Sequence, residues 1–326
     1  MNTETRDLIL EEIHATGVKR AGAQQVMSRF TSWRVGGPAD YLCTVEEPEQ
    51  LLKAIQVARR HSLPWLVLGG GNNILVADQG IAGLVMLNRL RGLQIEQGPA
   101  SPIVSCGAGV FFAKAAHYTA SRGFTGMEWG VAIPGTVGAG VVNNAGAHAS
   151  EVSSSLVSAE VVDSIGNLHT VLPADLEYHY RQSALKTPHT TQTSLAVTQC
   201  RFRLEPADPV TALGRIGELR QHRLLTQPVK DASAGSTFTN PPDNFAGALI
   251  EQVGLKGYRL GGAQISPLHA NFILNADRAT ADDIIALICL ARSRVRARCG
   301  IDLIPEVQFV GRWRHDVLST VLGEAA

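Results

Sequence analysis

Three side chains in this sequence are of types that move protons or hold anions: Ser236 in "KDASAGSTFTNPPDNFAG", Arg181 in "EYHYRQSALK" and Glu306 in "IPEVQF". Ser236 has no histidine or lysine close by in sequence, so it lacks the local base that would make a hydroxyl a nucleophile. Two uses stay open for it. It can give its proton to a carbanion formed beside it, provided neighbours hold the resulting alkoxide, or it can cap a turn. Arg181 can clamp a carboxylate through two parallel N–H···O bonds or make a surface ion pair. Glu306, at the start of the last strand, reads as a site acid or as an exposed carboxylate.

Backbone groups are a second source of chemistry. "GGGNN", which is Gly69, Gly70, Gly71, Asn72 and Asn73, follows a strand-like run. Consecutive glycines let N–H groups turn inward as a nest for a phosphate; a plain glycine hairpin is the alternative. The run continues into strand-like "ILVAD" and lacks the G-x-G-x-x-G spacing, which disfavours a Rossmann fold. A second stretch, "IPGTVGAGVVNNAGAHASE", supplies Pro134, Gly135, Thr136, Gly138, Asn144 and Gly146. Its threonine and asparagines can hydrogen-bond a ring edge or a phosphate. Two such loops suggest one extended ligand lying across both. FAD has that shape, with a pyrophosphate for one loop and an isoalloxazine for the other.

The elements that must position these groups can be read in order. "PEQLLKAIQVARR" is a helix opened by Pro48 and closed by Arg59 and Arg60. "WLVL" is a strand entering the first glycine run, and "VFFAKAAHYTASRGF" is a helix ending at Gly123. The second glycine stretch is too broken for a long helix. "LVSAEVVDSIGNLHTVL" is a hairpin turning near Gly166 and Asn167, and "TSLAVTQCRFRLEP" is a strand. Past the linker "EPADPV" come a helix, "TALGRIGELRQHRLL", the Ser236 loop, and a short helix, "AGALIEQVGLKG". Then follow a strand, "HANFILN", a long helix opened by Thr280 and Asp283 and closed by Gly300, and a last strand in "LIPEVQFVG". The expected architecture is α+β: a glycine-rich domain over 1–205, with subdomains of about 1–95 and 96–205, then a smaller α/β domain over 206–312 and a tail over 313–326.

Composition narrows the function. A chain of 326 residues has room for two cores. Lys+Arg and Asp+Glu balance at 29 each, so no global field points to nucleic acid or to a membrane surface. The 5 cysteines are widely spaced without a C-x-x-C pair, the pattern of reduced thiols and not of a disulfide or a metal site. The acidic N-terminus does not read as a signal segment, and no apolar run approaches the ~18 residues of a membrane span. The expectation is a cytoplasmic protein.

Taken together, "FTSWRVGGPADYL", "VLGGGNNILVAD", "IPGTVGAGVVNNAGA", "YRQS", "AGSTFTNP", "GLKGYRLGGAQIS…HANFILN" and "IPEVQFVG" resemble, in that order, the UDP-N-acetylenolpyruvoylglucosamine reductase (UDP-N-acetylmuramate dehydrogenase) family over about residues 30–311. The resemblance implies a vanillyl-alcohol-oxidase/PCMH-type FAD-binding domain of two α/β subdomains plus a smaller substrate domain. It implies non-covalent FAD, NADPH as co-substrate, and reduction of UDP-N-acetylglucosamine enolpyruvate in peptidoglycan precursor synthesis. Ser236, at the "AGSxF" position, would protonate the carbon next to the carboxylate. Arg181, at "YRxS", and Glu306, at "PEV", would hold the enolate. Asn240, Lys256 and His269 match substrate-binding positions, and the glycine-loop residues named above match the FAD site. No metal is implied, and a monomer is expected.

The sequence departs from the family pattern at Thr239, where lysine is usual. It has Asn72 for a common serine and "GAGVVNN" for the commoner "GGAVVMN". The short interval between Arg181 and Ser236 matches the shorter branch, without a tyrosine-bearing loop. Two other readings compete: a flavin oxidase on the same scaffold, and a catalytically silent sugar-nucleotide binder. The first has no use for a serine–arginine–glutamate trio, and the second does not need it filled.

Overall fold

The computed structural model describes residues 3–98, 100–186 and 195–322. Helix α1 (Thr3–Ala15) and strands β1 (Ala21–Val26) and β2 (Pro38–Val45) precede α2 (Pro48–Arg60). Pro48 supplies a preset φ at the start of α2, and Glu47 and Gln50 form a reciprocal capping box there. Strand β3 (Trp65–Leu68) ends at the first glycine run, which passes into β4 (Ile74–Val76), not into a helix. Strands β5 (Ile81–Asn88), β6 (Leu93–Gln97) and β7 (Pro102–Gly107) lead to α3 (Phe112–Ala120). That helix stops short of Gly123, which holds the left-handed φ of +81° after an intervening turn. The second glycine stretch does contain a helix, α4 (Val137–Asn143), of 7 residues.

Strands β8 (Leu156–Asp163) and β9 (Leu168–Val171) form the expected hairpin, with the Asp163 carboxylate accepting from the Ile165 and Asn167 N–H groups. The chain continues through β10 (Leu195–Arg203), α5 (Pro209–Thr226), α6 (Ala246–Gln252), β11 (Arg259–Leu260), β12 (Ala263–Ile265) and β13 (Ile273–Asn275). It closes with α7 (Ala281–Cys299), β14 (Gln308–Val310) and α8 (His315–Leu322). The strand expected over "HANFILN" is shorter than its sequence pattern: His269, Ala270 and Asn271 precede β13 in a turn.

Two compact units result, each stitched from separated segments. The first comprises Met1–Gln24, Asp40–Gly70 and Gly83–Arg223; the second comprises Gln25–Ala39, Gly71–Ala82 and Leu224–Ala326. The sequence suggests one boundary near residue 205. Compactness instead keeps α5 up to Arg223 in the first unit and brings two N-terminal segments into the second.

The first unit holds a sheet of order β1-β2-β5-β3, in which β3 and β5 run parallel with Trp65 opposite Leu84. Ile9 and Ile13 of α1 and Leu51 and Ile55 of α2 bury against Tyr41 and Met86 of that sheet. Each large apolar side chain so buried contributes about 1.5–3 kcal/mol relative to exposure. Its second sheet has the order β9-β8-β10-β7-β6 and is antiparallel throughout. Phe112 of α3 and Val137 and Val141 of α4 pack there with Phe202.

In the second unit, β11-β12-β13 form an antiparallel sheet, and β14 pairs in parallel with β4, placing Gln308 opposite Ile74. Trp33, Leu75, Phe238, Ile284, Ile288, Val295 and Phe309 share one core there. Helix α7 starts as the sequence indicates, with Thr280 and Asp283 exchanging bonds, and the Asp78 carboxylate additionally accepts from the Ala281 and Asp282 N–H groups. Within the segment expected as a tail, His315–Leu322 forms α8 and residues 323–326 lie outside the described residues; Val321 joins the core while Arg292 donates to the Thr320 carbonyl at 3.1 Å.

Candidate active site

In the first unit the two glycine stretches meet. A Cβ built on Gly69 would sit 2.4 Å from Thr136 Oγ1, closer than real Cβ contacts allow, so any side chain at 69 would have to displace the Thr136 hydroxyl. Thr136 is buried, and its hydroxyl has no hydrogen-bond partner among the described residues. A buried hydroxyl left unpaired costs about 1–3 kcal/mol, so it is a ready donor for a ligand. Asn143 Oδ1 is likewise buried without a partner among the described residues. Gly135 has nothing within 4 Å of a built Cβ and no left-handed φ, so local packing does not require glycine there. Gly138 has a packing reason of its own. Ala108 Cβ lies 2.6 Å from its built Cβ, and its N–H donates to the Ala108 carbonyl at 3.0 Å.

The Arg181 loop is laced onto the second glycine stretch. His179 and Gln182 exchange backbone bonds around Tyr180 and Arg181, which therefore form the tip of a tight turn. The Ser183 hydroxyl donates to the Val142 carbonyl at 2.6 Å, and the Tyr178 hydroxyl donates to the Val141 carbonyl at 3.0 Å. Asn144, fully buried, donates from its amide to the His179 carbonyl and accepts from the Ser153 N–H. Arg181 itself sits at φ +60°, a left-handed conformation that arginine adopts at a cost. Its guanidinium donates to the Gly146 carbonyl at 2.9 Å and to the Asn144 carbonyl at 3.4 Å. Nothing in the local pattern "HYRQ" indicates that arginine would occupy the position where a tight turn wants glycine. A strained residue held by its surroundings is a candidate functional position.

In the second unit the Ser236 segment and the Glu306 segment form a short antiparallel ladder. Thr239 N–H donates to the Ile304 carbonyl at 3.0 Å, and Glu306 N–H donates to the Thr237 carbonyl at 2.8 Å. Glu306 stands just before β14, not within it. The Asn73 amide donates to the Glu306 carbonyl at 3.3 Å, and the Asn73 carbonyl accepts from the Gln308 N–H at 3.0 Å. The last residue of "GGGNN" is thereby joined to the glutamate. Gly71 is confined by the Phe30 carbonyl, 2.0 Å from its built Cβ, and by a φ of +67°. Ser236 is half-buried, and its hydroxyl makes no hydrogen bond among the described residues. Arg181 belongs to the other unit from Ser236 and Glu306.

The three residues matched to substrate binding also lie in the second unit, each already engaged. Asn240 is exposed, and its Oδ1 accepts from the Ala246 N–H at 3.0 Å, at the start of α6. Lys256 Nζ reaches Glu251 at 2.9 Å. His269 packs against Gly247, where a built Cβ would lie 3.1 Å from its Cε1, and against Phe272 at 4.9 Å between ring centroids. His269 Nδ1 accepts from the Asn271 N–H at 3.2 Å, so the ring carries its proton on Nε2 and presents that as a donor. Burial, and then the Lys256 charge, hold the imidazole below its ordinary pKa, which keeps it neutral. Thr239, standing where lysine is usual, turns its hydroxyl to the Ile304 carbonyl at 3.2 Å.

Two residues escape the sequence reading. Arg89, half-buried, donates to the Gly69 carbonyl at 2.8 Å and braces the first glycine run. Asn271, buried in a turn ahead of β13, binds the segment after Ser236 on the side away from Glu306. Among the described residues no group of His, Cys, Asp or Glu is arranged to hold a metal ion, and no helix is long and apolar enough to cross a membrane.

Residues 227–310 match the family described as UDP-N-acetylenolpyruvoylglucosamine reductase, C-terminal domain, and residues 39–172 match the FAD binding domain family. The chain is 40% identical over 290 residues to UDP-N-acetylenolpyruvoylglucosamine reductase 2 of Symbiobacterium thermophilum, covering 89% of this chain and 91% of that one. It is 43% identical over 294 residues to the UDP-N-acetylenolpyruvoylglucosamine reductase of Nostoc punctiforme, covering 90% and 86%. Among solved structures, the UDP-N-acetylenolpyruvylglucosamine reductase of Thermus caldophilus superposes with a TM-score of 0.74 at 34% identity, covering 89% of this chain and 99% of that one.

Proposed function

This chain belongs to the UDP-N-acetylenolpyruvoylglucosamine reductase family, and from that premise we propose how its own side chains carry the reaction. It is an FAD-dependent oxidoreductase that reduces the enolpyruvyl ether of UDP-N-acetylglucosamine to UDP-N-acetylmuramate. In this reading NADPH is the electron source, and the enzyme works as a cytoplasmic monomer in cell-wall precursor synthesis.

The residues present fit FAD. The cradle at Gly69, the partnerless buried Thr136 hydroxyl and the open space at Gly135 are the features a bound pyrophosphate and ring would use. Gly70, Gly71, Asn72, Asn73, Pro134, Gly138, Asn144 and Gly146 complete the proposed set. FAD, when bound, supplies the hydride that ends on the terminal vinyl carbon of the substrate.

Ser236 then donates its Oγ proton to the carbon beside the substrate carboxylate, where the electron pair is left, and regains a proton from solvent. Arg181 holds the carboxylate oxygens, on which negative charge grows as the enolate forms, so its attraction is stronger in the transition state than in the ground state. Glu306, in its protonated form, would donate a hydrogen bond to the same oxygens. His269 donates from Nε2 and Lys256 supplies a cation for the diphosphate, exchanging Glu251 for the ligand. Asn240 contributes the rest of its amide.

The observation that carries this reading is the main-chain bond from Glu306 to Thr237. It joins the main chain of Glu306 to that of the residue after Ser236, while the Ser236 hydroxyl has no described partner, which supports Ser236 as the proton donor of this reading. The test is anaerobic oxidation of NADPH by the purified yellow protein, with and without UDP-N-acetylglucosamine enolpyruvate. Oxidation that depends on the enol ether supports the reading. A flavin that takes electrons and passes them only to oxygen would replace it with an oxidase, and a protein without flavin would end it.

A further inference from the structure

Ser236 takes its position from the main chain alone, because its hydroxyl bonds to no described group. What holds that main chain therefore decides where the proton is delivered. One edge of the segment is the Glu306 ladder. The other edge is a single residue. The Asn271 carbonyl accepts from the Thr237 N–H at 2.8 Å, its Oδ1 accepts from the Phe238 N–H at 3.0 Å, and its Nδ2 donates to the Phe238 carbonyl at 2.9 Å. Asn271 thus does with its main-chain carbonyl and its side-chain amide what a neighbouring strand would do, and it does so in the core, at 4% exposure against Phe238 at 1%. Its own N–H donates to His269 Nδ1 at 3.2 Å, so the clamp also touches a proposed substrate-binding ring.

The chemistry of the clamp is specific to asparagine. Aspartate keeps the acceptor but presents a carboxylate oxygen to the Phe238 carbonyl. Leucine leaves a buried N–H and a buried carbonyl unpaired. Serine keeps at most one of the two side-chain bonds.

We propose that Asn271 is a positioning residue for the protonation step: its bidentate grip on Phe238, with its main-chain bond to Thr237, fixes Ser236 Oγ against the substrate carbon. The inference rests on Ser236 being the proton donor. Asn271 touches neither flavin nor substrate in this role, so its loss slows proton delivery and leaves flavin reduction alone.

Rapid-reaction kinetics on the FAD-loaded enzyme separate the two halves of turnover. In N271D, reduction of the flavin by NADPH stays within about twofold of the parent. Reoxidation by the enolpyruvyl substrate slows by roughly 10- to 100-fold, the scale set by ångström-level misplacement of a reacting group. The solvent deuterium isotope effect on reoxidation grows, because proton delivery becomes the slow step. If N271D gives no yellow protein, N271S is read in the same way. Loss of both half-reactions together, or an unchanged reoxidation rate and isotope effect, overturns the proposal. S236A run alongside tells the two assignments apart. If S236A reoxidises at the parental rate, the acid assignment has failed; if S236A is slow while N271D is parental, only the role of Asn271 has.

Discussion

The Glu306 N–H donates to the Thr237 carbonyl at 2.8 Å, so the carboxylate and the serine before Thr237 are held by the same rung of backbone. Neither residue can shift along the chain without breaking that bond. Both residues lie in the second unit.

The first prediction follows from the partnerless hydroxyl. Ser236→Ala removes only an oxygen that bonds to nothing described, so melting temperature and FAD content stay at parental values. Steady-state turnover falls by about 10²–10⁴-fold, the range for a lost general acid. Turnover within tenfold of the parent would mean that another group supplies the proton.

Arg181 allows stability and catalysis to be separated. At φ +60° a glycine relieves backbone strain, while the bonds to the Gly146 and Asn144 carbonyls are lost; the two effects oppose. Arg181→Gly therefore melts within a few degrees of the parent but loses at least ~100-fold in kcat/KM. Arg181→Lys keeps the charge and loses the fork, with a loss of comparable direction. A lysine variant of full activity would sink the bidentate role.

Gly69 and Gly135 contrast in a useful way. Gly69→Ala drives a methyl into Thr136 and lowers both FAD affinity and the melting temperature of the flavin-free protein. Gly135→Ala meets no protein atom, so the flavin-free protein melts as the parent does, while FAD affinity falls by roughly an order of magnitude through a clash with the ligand. Fluorescence titration with FAD reads both. Parental affinity in Gly135→Ala would remove that glycine from the site.

For His269 the direction of the shift gives a pH dependence. Burial depresses its pKa in the folded protein below the ordinary value of 6.5. As pH falls past that value the unfolded chain takes up the proton first. The stability contribution of neutral His269 is thus present above about pH 6.5 and is lost as pH drops toward the folded value. Thermal melts between about pH 7 and pH 5 should slope less steeply in His269→Gln than in the parent. Some slope remains, because burial depresses His148 in the same direction. Superimposable profiles would show that His269 does not titrate as the buried ring requires.

Cys106 and Cys200 stand directly opposite each other on β7 and β10, yet both are free thiols. Burial pushes Cys43 and Cys106 up to about 12 and raises Cys200 as well, so none carries thiolate at neutral pH. A chromogenic disulfide reagent should reach Cys289 and Cys299 in the native protein and all 5 thiols after denaturation. Rapid native modification of Cys106 or Cys200 would show that the strands open.

Local chemistry was the most legible part of the sequence. Pro48, the Thr280–Asp283 box, Gly300 and the Gly166 turn act on neighbours a few residues away, and each element begins or ends where those residues direct. In the glycine loops, packing against Ala108 is by itself enough to require glycine at 138, which no local pattern announces. Asn271 was not readable. A polar residue inside an apolar run was the available signal, since a buried amide needs partners. Its partner, Phe238, lies 33 residues away, beyond any local pattern. The division into units was hidden likewise: segments 25–39 and 71–82 join the C-terminal part only through contacts made in three dimensions.

The parallel pairing of Ile74–Val76 with Gln308–Val310 sets an order of events for a chain that emerges from the ribosome N-terminus first. Strand β4 is synthesised well before its partner, so until that partner emerges its backbone edge and the apolar side chain of Leu75 lack this pairing. The second unit is then a late-assembling body. It depends on long-range closure, the kind of contact that slows folding because chain entropy must be given up before the pairing forms.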